Sequence, residues 1–260
     1  MKGFVTPVCA LINNTHRFFL VTSCVIALTS CQTEMAVQSK STMSDAQKYS
    51  AALADAAIAT PEKVLPLRAL PESGDVKVVS WVSESRLPCN GQSTCHYQSG
   101  NYVIWVTLQG EVQQKCQQWK LTQQPLRERL ESLLGLPHGS PAQYQKTHFV
   151  EMTVNTKNIS RPCLGVSAES GAPVCALVPS ASVTDEQKLF VMQQMASVYV
   201  DKNPTGPGYP FTRLGYTYDW QLPVGQGNHY GASEFLLAAN SQIRVDKMLS
   251  TDEYCAQGAQ

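Results

Sequence analysis

Val76-Lys77-Val78-Val79-Ser80-Trp81-Val82 and Tyr102-Val103-Ile104-Trp105-Val106-Thr107-Leu108 are the two stretches on which the fold turns. β-Branched and aromatic side chains dominate both, which is the composition of strands. Between them stands Cys89-Asn90-Gly91-Gln92-Ser93-Thr94-Cys95, whose Asn-Gly is a turn former that brings its two ends together. The three segments predict an antiparallel hairpin with a disulfide-braced turn. Downstream, residues 111–119 place Val112, Cys116 and Trp119 on one helical face. Pro125 at a first turn opens a second helix, with Leu126, Leu130, Leu133 and Leu134 at three- and four-residue spacing, and Gly135 and Pro137 close it. Residues 148–154 predict another strand. Thr184-Asp185-Glu186-Gln187 resembles a capping box and opens a helix to about residue 200, with Leu189, Met192, Ala196 and Tyr199 on its apolar face. Residues 216–220, 233–238 and 243–248 predict closing strands. Strands and helices mixed without βαβ alternation predict a single disulfide-braced α+β domain over residues 75–260, mostly antiparallel, with three to four helices.

Upstream of that domain the chain changes character twice. Residues 1–30 carry Lys2, His16 and Arg17 but no acidic group, and an apolar run over residues 18–28 has the length of a signal-peptide core rather than of a membrane span. The run ends in Leu28-Thr29-Ser30-Cys31, which resembles the bacterial lipobox, with Cys31 as the lipidated first residue of the mature chain. Val21-Thr22-Ser23-Cys24 also fits the box, but only a few apolar residues precede it. An ordinary cleaved signal or a buried apolar segment are the plainer readings. Gln32 after the cysteine, where an Asp often signals inner-membrane retention, favours the outer membrane of a Gram-negative bacterium. Residues 31–74 then read as the lipidated cysteine, a polar tether, and an Ala-rich helix opened by Ser44-Asp45-Ala46-Gln47 and stopped at Thr60-Pro61. That helix either docks on the domain or extends the stalk.

Composition sets the outer limits. Of 260 residues, 43% are apolar and 15% charged, which excludes a disordered chain, and twenty basic groups balance twenty acidic ones. No overall field draws such a protein to nucleic acid. Nine cysteines suit an oxidising compartment. Once Cys9 and Cys24 are discarded and Cys31 is lipidated, six remain, with fifteen possible pairings. Spacing favours Cys89–Cys95 across the Asn-Gly turn and Cys163–Cys175 across a Gly- and Pro-containing excursion. Elimination leaves Cys116–Cys255. A metal site is the weaker reading, because there is no C-x-x-C and His96, His138, His148 and His229 are scattered. No cofactor is expected.

Chemistry-bearing motifs are scarce. H-E-x-x-H, the phosphate loop and S-x-x-K are all missing, and the isolated G-x-S and G-x-G fragments lack their remaining glycines. Residues 209–230 stand apart, with six of the chain's 21 aromatics. On a strand, alternation puts Tyr216, Tyr218 and Trp220 on one face and Thr217 and Asp219 on the other. Such a row makes a platform for a sugar or an extended peptide, with Arg213 gripping a carboxylate. Equally, a row of rings on a strand packs against a helix, and Arg213 and Asp219 are then an internal ion pair. An enzymatic reading takes Asp219 and Glu234 as a carboxylate pair about a glycosidic bond, with His229 nearby.

Trp105-Val106-Thr107-Leu108, Cys116, Leu133-Leu134-Gly135-Leu136-Pro137, Arg161-Pro162-Cys163, the run from Gly208-Tyr209-Pro210-Phe211-Thr212-Arg213-Leu214-Gly215 to Tyr216-Thr217-Tyr218-Asp219-Trp220, and Gly231-Ala232-Ser233-Glu234-Phe235 resemble a group of uncharacterised exported bacterial proteins. The resemblance covers most of residues 100–255 and implies a shared exported fold, with no activity attached.

Together these readings predict an outer-membrane lipoprotein, lipid-anchored in the cell envelope. Its domain is a non-catalytic binding or envelope-assembly module for cell-wall glycan (peptidoglycan) or a partner protein, with Arg213, Tyr216, Tyr218 and Trp220 as contacts. The alternatives are a cell-wall hydrolase using Asp219 and Glu234, and an inhibitor- or immunity-type lipoprotein.

Overall fold

The structure, a computed structural model, describes residues 43–168, 171–181, 183–200, 208–222 and 229–256. Cys31 and the lipobox lie outside them. Five helices are described, α1 (Asp45–Ala56), α2 (Glu111–Trp119), α3 (Gln123–Leu133), α4 (Asp185–Ser197) and α5 (Thr251–Ala256). The first strands are β1 (Asp75–Val82), β2 (Cys95–Gln98), β3 (Ile104–Leu108), β4 (His148–Asn155), β5 (Ile159–Ser160), β6 (Val166–Ser167) and β7 (Val174–Cys175). After α4 come β8 (Tyr216–Tyr218), β9 (Tyr230–Ser233), β10 (Phe235–Leu237) and β11 (Gln242–Ser250). Seven strands form one sheet in the order β2-β11-β4-β1-β3-β10-β5, every pair antiparallel. The protein is α+β.

Alternation along β1 explains the two layers. Val76 and Val78 point to one face, with Met152, Val154, Ile243, Val245 and Phe235. Leu87, Cys89, Cys95 and Tyr97 of the segment between β1 and β3 pack against that cluster. Val79 and Trp81 point to the other face, where Val112 and Cys116 of α2, Leu126, Leu130 and Leu133 of α3, and Tyr254 of α5 close the main core. The leucine stripe of α3 is therefore core. Disulfides join Cys89 to Cys95, Cys116 to Cys255 and Cys163 to Cys175, with Cα separations of 6.3, 5.5 and 5.8 Å. The second ties α2 to α5 across 139 residues of chain, a closure that contributes about 5 kcal/mol on the loop-entropy model.

Two local expectations are corrected, and one left open is decided. The hairpin does not form as a unit. β1 and β3 are neighbours, but the chain between them sends β2 to the far edge of the sheet beside β11. About twenty intervening residues far exceed a tight turn, and the surplus is long enough to cross the face. The apolar stripe of α4 is also rotated: Leu189 and Met192 are 57% and 62% exposed, while Val191 is fully buried beside Phe190, Met195 and Val198. The Thr184 hydroxyl does accept from the Gln187 backbone, but the Gln187 side chain donates to the carbonyls of Arg161 and Cys163 instead of reaching back. That anchors the face opposite to the one periodicity selects. Of the two outcomes left open for the Ala-rich helix, docking is the one seen: α1 packs on the body that follows residue 75. Tyr49, Ala52, Leu53 and Ala56 are buried against Tyr218 and Trp220. No basic residue of its own closes the last turn of α1; Lys63 donates to the carbonyls of Asp55 (2.6 Å) and Ile58 (2.8 Å) there.

The sheet opens in its middle. β1 pairs with β3 only at Val78–Leu108 and Val79–Thr107. Beyond that point Ser80, Trp81 and Val82 follow β4, while Val106, Trp105 and Ile104 follow β10. The two indoles account for the parting. Trp81 stacks on Phe149 at 5.6 Å and donates to Thr251 Oγ1 at 3.0 Å. Trp105 packs against Phe190, Tyr209 and Phe211 at about 6 Å, under α4. Each ring is committed to its own aromatic cluster, so continuing the ladder would pull one of them out. Ser80 Oγ donates to the Trp105 carbonyl across the opening at 3.1 Å.

Candidate functional site

Tyr216, Tyr218 and Trp220 do not form an exposed platform. They are 8%, 3% and 2% exposed, and they divide between two clusters. β8 ends at Tyr218, so Trp220 lies past the strand. It meets Tyr49 edge-on at 5.4 Å and donates to the Leu136 carbonyl at 2.9 Å. The phenols of Tyr216 and Tyr218 donate to the Lys63 carbonyl (2.8 Å) and to Asp55 Oδ2 (2.9 Å). Burial, and for Tyr218 also the Asp55 bond, pushes both phenols up. The row of rings is the surface on which α1 and the chain after it settle.

Arg213 is not poised for a carboxylate either. It is half-buried with a positive φ of 49°, rare outside glycine, and Nη1 is 3.5 Å from the Ala57 carbonyl and 3.6 Å from Met195 Sδ. Its cation faces the C-terminal end of α1, where helix carbonyls favour positive charge. Asp219 pairs instead with Arg129, which grips it with two bonds of 2.9 and 2.7 Å and lies 4.5 Å over the Trp119 ring. Asp219 is 2% exposed and lines neither cavity described below. The Asp219–Glu234 pair is therefore not assembled: one carboxylate is spent on a buried ion pair and the other faces a cavity.

One constellation absent from the sequence patterns has triad spacing. Ser132 Oγ is 3.0 Å from His138 Nε2, and His138 Nδ1 is 3.1 Å from Asp45 Oδ2. Its chemistry points elsewhere. Ser132 is fully buried and donates to the Glu128 carbonyl at 2.8 Å. His138 Nε2 faces the same carbonyl at 2.7 Å, and a serine with no exposed surface offers no room for a substrate. The contact pins the first turn of α1 to α3.

The opening between β1 and β3 is the mouth and wall of the larger cavity, about 500 Å³. Trp81, Tyr97, Tyr102, Trp105, Phe149 and Tyr209 supply most of its aromatic lining. Register places its two ends. The wide end faces Val82, Ile104, Arg86 and Lys146; the narrow end, where the ladder closes at Val79–Thr107, faces Glu234, Thr217 and Val112. Glu234 keeps partial exposure where it lines the cavity, and burial pushes its carboxyl from 4.5 to about 8. A carboxyl raised in the folded state contributes stability that is intact below its unfolded value and is lost as pH rises through 4.5 toward 8. The partial exposure of Glu234 softens the cost. Glu234→Gln should therefore stabilise the protein by about 2 kcal/mol at pH 8.5 and by little at pH 4.5, read as thermal midpoints at the two pH values.

A smaller cavity of about 180 Å³ lies between Asp55, Lys63, Tyr218 and His229. The two ring nitrogens of His229 have no hydrogen-bond partner among the described residues, and the ring stacks on Tyr218 at 4.6 Å. Asp55 and Lys63 already hold each other at 2.9 Å. This space is below the usual range for organic ligands.

Arg86 and Lys146 escape sequence reasoning because nothing local marks two cations sixty residues apart. Trp81 and Trp105 carried a signal, one indole on each of two neighbouring strands, whose meaning depends on the register. The chain matches no known family model, no curated protein and no solved structure.

Proposed function

We propose that this chain is a lipoprotein of the Gram-negative cell envelope, anchored at Cys31 in the outer membrane, whose domain binds a ligand without transforming it. The cavity in the split sheet carries the binding half of that reading. Its volume of about 500 Å³ and its mainly aromatic and apolar lining with few polar groups have the character of a small-molecule site. Among the described residues, Glu234 is the one carboxylate of that lining, and no histidine or cysteine stands beside it. The rings of the 216–220 segment, which the glycan reading relied on, are buried. Support for the anchor comes from the lipobox after an apolar run, and from three disulfides that suit an oxidising compartment.

Two measurements test the two halves. Palmitate labelling in a Gram-negative host should tag the chain and vanish in Cys31→Ala; labelling of that variant would remove the anchor assignment. The oxidised protein should raise the fluorescence of the uncharged probe N-phenyl-1-naphthylamine at one site per chain, and should neither sediment with purified peptidoglycan nor release fragments from it. Fragment release would make it a hydrolase, and sedimentation a wall-binding module. A second reading, docking on a protein partner, draws on the outer face of α4, where Leu189 and Met192 stand exposed.

A further inference from the structure

The wide end of the larger cavity carries two cations that no anion neutralises among the described residues. Arg86 is exposed and Lys146 half-buried, and neither has a carboxylate or any side-chain hydrogen bond among the described residues. Arg129 is engaged by Asp219, Lys63 by Asp55, and Arg161 by the Arg68 carbonyl and the Phe235 ring; Lys115, Arg127 and Lys247 are half-buried without an ion pair among the described residues, as Lys146 is, but they do not line the cavity. Leaving a cation partly desolvated and unpaired costs stability. Burial, and then the charge of Arg86, lower the Lys146 ammonium, so the two groups feel each other and no anion offsets them. The three strand positions from Val79 to Val82 give the gap a length of about 10 Å at a strand rise of about 3.3 Å per residue. Trp81, Trp105 and Phe149 wall it, and the far end is closed by Val112, Thr217 and Glu234. With its carboxyl raised to about 8, Glu234 is largely uncharged at neutral pH, so the closed end presents no full charge.

Resting on the reading of the cavity as a small-molecule site, we infer that it takes a single-chain amphiphile with an anionic head, the head held by Arg86 and Lys146 and the alkyl chain lying in the cavity along Trp81, Trp105 and Phe149 toward Glu234. A carboxylate or a phosphate head satisfies the same two cations. A cavity of about 500 Å³ has room for one alkyl chain of medium length. A cationic head would meet like charge at the only end with room for it.

The test uses the oxidised chain from residue 32 onward, which holds the whole described core and all three disulfides in one compact unit. Binding of decanoate, decyl phosphate, decanol and decyltrimethylammonium is followed by the fluorescence of Trp81 and Trp105, below the micelle threshold of each probe. Decanoate or decyl phosphate should bind at least about tenfold more tightly than decanol, and the ammonium should bind most weakly. The better of the two anions identifies the head as fatty-acid-like or phosphate-like. Arg86→Gln with Lys146→Met should remove the preference, weakening the anion about tenfold or more while leaving decanol unchanged. Arg86→Gln alone, at an exposed position, gives a partial loss that does not depend on tolerance of the Lys146 change. Equal affinities for all four probes, or an unchanged anion preference in the variants, would overturn the head-group assignment while the cavity reading stands. Binding of none of the four would overturn both.

Discussion

Trp220→Ala should lower stability by about 3–5 kcal/mol, the range for truncating a large buried aromatic, and the thermal midpoint by about 6–20 °C for a domain of this size. The indole is 2% exposed, meets Tyr49 edge-on, stands 4.3 Å from the His138 ring and donates to the Leu136 carbonyl. Truncation leaves a cavity under α1 and an unmet carbonyl beside it. The loss should be local in character: limited proteolysis of the variant should cut within residues 45–60 before the rest of the chain is attacked. Thermal melts with and without protease read both effects. A midpoint within two degrees of the parent would return Trp220 to the surface and revive the aromatic platform. Trp220→Phe, which keeps the ring contacts but not the hydrogen bond, should recover more than half of the loss.

Arg129→Met should cost about 3–5 kcal/mol, because it strands a carboxylate that is 2% exposed. Among the described residues, Asp219 then retains only the long contact from the Gln221 backbone at 3.4 Å. The pair itself is a weak source of stability, since desolvating both ions offsets most of their attraction. Arg129→Met combined with Asp219→Asn should therefore return most of what the single change removes. Denaturant midpoints of the two singles and the double complete the cycle. If the double variant stays as unstable as Arg129→Met, the arginine acts through its stack on Trp119 and not through its charge.

What the sequence reveals of this fold follows local physics closely and stops where distant segments must choose partners. The strands at 76–82 and 148–154 are legible because β-branched runs have few other uses, and Ser44 caps α1 as its box implies. Period alone misplaced the face of α4, since Leu189-Phe190-Val191-Met192 is apolar all round and the choice fell to the tether between Gln187 and the carbonyls of Arg161 and Cys163. The aromatic segment was visible as a cluster. Whether a row of rings faces water or a helix depends on a helix that begins some 165 residues earlier in the chain, and no local signal records that α1 covers it. Asp219 illustrates the same limit. Its partner is Arg129 rather than its neighbour Arg213, because β8 runs beside α3. The cavity was least legible of all, for it exists only where two strands part.

The bridge between Cys116 and Cys255 sets an order on the history of the molecule as well as a bond in its final state. A chain that emerges amino end first exposes Cys89 and Cys95 together, and their pairing is also the native one. Cys116 then waits as a free thiol while Cys163 and Cys175 appear, because its partner is the last cysteine of all. An oxidant that joins thiols in order of appearance makes Cys116–Cys163 and then Cys175–Cys255, two bonds that the finished protein does not contain. Reaching the native set from there requires thiolate attack and exchange rather than further oxidation. Under such an oxidant, maturation of this domain would need an isomerase, and its pace would be set by correction of early bonds and not by their formation.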